Sequence, residues 1–186
     1  MKNNISLSLI ICLMALTLST NGQRYFMKIE NPNLNGTSNT APHEFEFELE
    51  SFDFGITNNG NLHFGSGAGN GKPELLPFTI KLKQTSNMAQ VYKTIHDGGF
   101  YRKVIISVVK TFDSPSLQDY LVFTLEEVVT FSAMNIGASS GDDSIFLTAT
   151  IFSDKLRIKH YLTNSNGSRD NTPLETGWDI IENKSL

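Results

Sequence analysis

Two short stretches alternate with a strict period of two, and that period limits the fold more tightly than anything else in the chain. "HEFEFELESF" (43–52) sets Phe45, Phe47 and Leu49 against Glu44, Glu46, Glu48 and Glu50, and "FTIKLK" (78–83) sets Phe78, Ile80 and Leu82 against Thr79, Lys81 and Lys83. Successive side chains of an extended strand point to opposite faces, so each stretch predicts a strand with one buried and one wet face. The wet faces carry opposite charge, which suits the two strands to pairing or to meeting across an interface. Further β-branched and aromatic runs follow at 101–112, 119–134, 144–153, 155–162 and 177–183, and turn-forming residues separate them at 113–116, 137–143 and 164–173. Many short strands joined by polar turns predict an antiparallel sandwich or barrel.

One segment breaks the period. "TSNMAQVYKTIHDGG" (85–99) spaces Met88, Val91, Tyr92 and Ile95 as i, i+3, i+4, i+7, with Ser86 or Asn87 as N-cap and Gly98 just past the end. The spacing predicts one short amphipathic helix packed on a β-structure. No internal repeat and no second domain boundary is visible, and the 164–173 loop is too short for a domain linker.

The first residues read as a leader. Lys2 supplies a positive start, Ile5 to Leu18 is apolar apart from Ser and Thr, and "STNG" follows. The apolar run falls short of the roughly 20 residues that span a bilayer, and Thr20 and Gly22 stand where a signal peptidase takes small side chains. The expectation is a signal peptide over 1–22, cleavage between Gly22 and Gln23, and a mature domain over 23–186 with no stable membrane insertion. The destination is periplasmic or extracellular. Cys12 is the only cysteine, so the mature chain has no disulfide and no thiolate metal site. Loss of Lys2 leaves 14 basic against 19 acidic side chains with no basic stripe, which argues against a nucleic-acid partner.

"GSGAGNGK" (65–72) has the look of a phosphate loop but not its spacing. Ser66 stands where a Walker motif needs glycine, Pro73 where it needs Ser or Thr, and strand-like sequence follows instead of a helix. His43, His63, His96 and His160 show no short metal-ligand spacing. Glu126 and Glu127 are adjacent on a strand and so expected on opposite faces; a glycosidase pair would need one of them with Asp53 or Asp142. No nucleophile elbow is present. The sequence therefore predicts no catalytic residue, no metal and no cofactor.

Taken in order, the segments resemble Hcp, the hemolysin-coregulated protein family that forms the inner tube of bacterial type VI secretion systems. The likeness covers about Tyr25 to Asn183. "YFMKIE" (25–30) resembles the family's opening strand, and "ESFDFG" (50–55) its aromatic-x-aromatic-Gly turn, with Phe52 and Phe54 where tryptophans are common. "GSGAGNGK" is similar to its extended loop, and "PFTIKLKQTSNMAQVY" to its strand and single helix. "DYLVFTLEEVVTFS" resembles its long central strand and is the most specific match. "SGDD" with "FSDKLRIKHY" resembles its acidic turn and last core strand, and "GWDIIEN" its closing strand.

The resemblance implies a mainly β fold, an antiparallel β-barrel of two packed sheets with one short flanking α-helix. It implies no enzyme but a homohexameric ring that stacks into a tube, with the type VI sheath, spike and small effector proteins as partners. It also implies that Gly65, Gly67, Gly69, Gly71 and Lys72 form a loop reaching neighbouring subunits. To this we add the expectation that Glu46 and Glu48 meet Lys81 and Lys83 between subunits. Two alternatives remain open: an exported Hcp-like binding module acting outside a type VI apparatus, and a secreted β-sandwich hydrolase.

Overall fold

The computed structural model describes residues 22–58, 73–83, 87–112, 116–138 and 144–186. Ten strands and one helix follow in the order β1 (Arg24–Glu30), β2 (Phe47–Asp53), β3 (Ile56–Asn58), β4 (Pro73–Leu75), β5 (Phe78–Lys83), α1 (Met88–Asp97), β6 (Tyr101–Thr111), β7 (Leu117–Gly137), β8 (Phe146–His160), β9 (Leu174–Asp179) and β10 (Lys184–Ser185). All described pairings are antiparallel.

The main sheet closes on itself. Its order is β10-β9-β8-β5-β2-β1-β6-β7, and β7 also pairs with β8, so β1, β2, β5, β8, β7 and β6 form a six-stranded barrel. Opposite walls of this barrel are its two packed layers. The interior is filled by the alternate apolar residues that the period marks: Met27 and Ile29, Phe47 and Leu49, Phe78, Ile80 and Leu82, Val104 and Ile106, Phe123 and Leu125 all belong to one buried cluster. A small barrel of this kind is a packed core, not a channel.

The runs at 144–153 and 155–162 prove to be one strand. β8 pairs through its first half with β5 and through its second half with β9, while β7 flanks it throughout. Its inward set changes parity between Ile151 and Leu156, opposite a register shift in β7 between Glu126 and Val129. Glu127 sits in that bulge with φ of 73°, the left-handed backbone that an extra residue in one strand imposes.

Helix α1 lies where the 3.6-residue period puts it. Met88 and Val91 enter the core cluster, with Tyr92 and Ile95 against its edge. Gly98 ends the helix with φ of 67°, and its N–H reaches back to the carbonyl of Ile95. Asn87 takes the N-cap place without capping; its side-chain amide donates to the carbonyl of Asn35.

Candidate assembly surfaces

Phe26 points out of the barrel, since Met27 and Ile29 beside it point in, yet it is fully buried. Burial is supplied by residues 31–46, which run back over β1 as a strap. The strap is pinned by backbone bonds: Leu34 N–H donates to Ile29 O, Arg102 N–H to Asn31 O, and Ser38 N–H to Glu46 O at 3.0 Å. Gly36 allows the two limbs of the strap to touch, because a Cβ there would stand 2.2 Å from the Glu46 carbonyl oxygen.

His43 is the buried polar centre of the strap. It is 5% exposed, and its ring stacks on Phe26 with centroids 4.5 Å apart. Nδ1 lies 2.9 Å from Glu46 Oε2 and Nε2 lies 3.4 Å from Asp119 Oδ1, the second an ion-pair contact without hydrogen-bond geometry. Burial works against the charged ring, but the carboxylates of Asp119 and Glu46 outweigh it and raise the imidazole from 6.5 to about 9. The strap is therefore clamped to the start of β7 by an imidazolium held between two acids. Arg169 donates from Nη1 to the Asp119 carbonyl at 3.2 Å and lies 4.3 Å over the Tyr161 ring, extending the cluster toward the end of the chain.

The charged faces of β2 and β5 meet inside one chain. The strands pair with Ser51 opposite Lys81, and Lys83 Nζ stands 3.6 Å from Glu50. Lys81 lies over the Phe146 ring at 4.5 Å, Glu46 is taken by His43, and Glu48 accepts from Arg24 at 2.8 Å. Arg24 also donates to Thr40, tying the first residue of β1 to the strap. All four residues singled out for contacts between subunits thus have partners in their own chain.

Gly22 and Gln23 are exposed just ahead of β1, and Gln23 edges a cavity at the barrel mouth with Tyr25, Phe52 and Tyr120. Gly65, Gly67, Gly69, Gly71 and Lys72 lie outside the described residues, as do His63 and Asp142. His96 is exposed on α1, and His160 packs edge-on against Tyr120 at 4.9 Å. Asp53 is exposed at the end of β2. Glu126 and Glu127 do not take opposite faces in effect: Glu126 bonds Arg157 and Glu127 bonds Lys155, two cations on one face of β8, because the bulge turns the second carboxylate round.

Two apolar features escape the period-two reading. Phe45 does not join Phe47 and Leu49 on the buried face; it lies before β2 in the strap, 66% exposed, with φ of 63°. Its N–H donates to Ser38 O at 2.8 Å and its carbonyl accepts from Gly36 N–H at 2.6 Å, so the backbone bonds turn the side chain outward. The second feature is a groove of about 220 Å³ between the arm formed by β3 and β4 and the β8–β9 pair, lined by Ile56, Pro73, Leu75, Leu156, Ile158 and Trp178. No local sequence signal marks this groove, because its walls come from four separate strands.

Comparison with known proteins gives these surfaces a context. Residues 26–150 match the profile of the family described as "Type VI secretion system effector, Hcp". Protein hcp1 of Pseudomonas aeruginosa is 29% identical over 65 residues, 35% of this chain, and the match spans only 40% of that relative. Among solved structures, one described as a type six secretion system protein superposes with a TM-score of 0.79 at 16% identity, covering 89% of this chain and 100% of that one. Hcp1 from Salmonella typhimurium superposes with a TM-score of 0.68 at 18% identity, covering 88% and 99%. At these identities the structures establish a shared fold, and the profile match establishes kinship.

Proposed function

The chain belongs to the Hcp family of type VI secretion proteins, and from that premise we propose that it is a ring-forming tube protein: six copies close into a ring, and rings stack into a tube that carries small effector proteins outward. The observation that carries the reading is the profile match over 26–150 on a closed barrel with one flanking helix. The role asks for shape and surfaces, not chemistry. In keeping with that, the acids and bases located above are spent in ion pairs within the fold: Glu126 on Arg157, Glu127 on Lys155, His43 between Glu46 and Asp119. On this reading the protein is structural, its main partner is itself, and the type VI sheath and spike are its further partners.

The leader pattern at Ile5 to Leu18 favours a second reading, in which an exported Hcp-like ring or binding module acts in the periplasm or outside the cell without the apparatus. One preparation separates the two. The protein is recovered from periplasm and medium of cells with and without the secretion apparatus, then sized by light scattering, imaged in negative stain and weighed intact. Hexameric rings are expected. A start at Gln23 together with indifference to the apparatus selects the exported module, and dependence on the apparatus selects the tube. A monomer at every concentration overturns both ring readings.

A further inference from the structure

Phe45 and the arm groove are complementary features that one chain cannot bring together. Phe45 stands on the strap over β1, and the groove is floored by Leu156 and Ile158 on the core-facing side of β8, under the arm; β1 and β8 are three places apart in a wall of six, so the exposed ring and the groove are set apart within one chain. A bulky aromatic in the left-handed region is a genuine outlier, and strain of that kind persists only where surrounding bonds enforce it. Here Gly36 and Ser38 enforce it from both sides, with the result that an exposed phenyl ring is held rigidly away from its own core. Rigid presentation lowers the ordering cost of a contact.

The groove fits such a knob. An apolar cavity of about 150 Å³ accepts benzene, and this groove is larger. Its wall includes Trp178, the single tryptophan of the chain, and aromatic anchors seated in apolar pockets dominate interface energetics. A projection at one place and a recess at another join copies head to tail, the heterologous contact that closes into a ring when its rotation divides a full turn. We propose that Phe45 of each subunit seats its ring in the arm groove of the next. The inference rests on the ring-forming reading and adds to it the residues that make the joint.

The test uses the full chain with Cys12 replaced by serine, carrying Glu44→Cys and Thr176→Cys so that Phe45 stays in place; Glu44 is exposed beside Phe45, and Thr176 is exposed at the groove rim. Oxidation is expected to give a ladder of covalent oligomers ending at six on a non-reducing gel, and either single cysteine variant is expected to give monomer. In a companion variant, Phe45→Ser is expected to weaken ring association by roughly 30-fold or more and to abolish a blue shift of Trp178 emission on assembly. Rings seen by imaging without a ladder, or a Phe45→Ser protein that assembles at wild-type concentration, overturn the joint and leave the ring reading standing. Absence of rings in the parent chain overturns both.

Discussion

The clamp on the strap predicts a specific alkaline loss of stability. His43 is held near 9 in the folded chain against 6.5 for an ordinary imidazole, and a gap of that size corresponds to about 3 kcal/mol. The sign follows from the direction: a raised basic group contributes in full below about pH 6.5, and the contribution drains away as pH rises through about 9. The groups facing the ring are Glu46 on its own strap and Asp119 on β7, with Phe26 of β1 beneath it. Urea unfolding at fixed protein concentration, compared between the parent chain and His43→Gln, isolates the effect, because the two proteins differ at no other residue. The stability difference between them is expected to shrink by about 3 kcal/mol between about pH 6 and about pH 9.5. A difference that stays constant across this range, or an imidazole signal of His43 titrating at or below 6.5 by NMR, refutes the reasoning.

Two further substitutions test the backbone. Gly36→Ala places a Cβ 2.2 Å from the Glu46 carbonyl, so the strap limbs must part; a loss of about 1–3 kcal/mol is expected, with faster hydrogen exchange at the Ser38 and Phe45 amides. Gly98→Ala meets no atom within 4 Å, so only its φ of 67° opposes the change, and a cost of about 1 kcal/mol in thermal or urea unfolding is expected.

Local periodicity carried the parts of the fold that local physics decides. Phe47 with Leu49, the alternation of β5 and the face of α1 are legible because burial on one side of a strand or helix repeats every two or 3.6 residues. What stayed hidden depends on distant partners. β8 reads as two strands because its inward set changes parity at the bulge opposite Glu127, and only its pairing with β7 shows the chain to be continuous. Phe26 is buried on the outer face because a later segment covers it, and Phe45 leaves the alternation because Gly36 and Ser38 bond its backbone. The His43 clamp needs Asp119, which reaches it only once β6 and β7 have paired beside β1. The assembly surfaces follow the same division: opposite charge on β2 and β5 was visible, but which charges remain for a neighbour is decided by Arg24, Glu50 and Phe146.

The position of β8 in the chain sets the order in which the molecule can come into being. β8 is the stave that joins β5 to β7, and it is not complete until His160. A nascent chain that has emerged only through β7 has five staves, two unpaired edges and a core still lacking Leu147, Ala149, Ile151 and Leu156. Until that strand has been made, there is no closed barrel. Once β8 arrives, both edges are consumed at the same time. Late closure thus leaves the chain open-edged until its last core strand is made and closes both edges with that one strand.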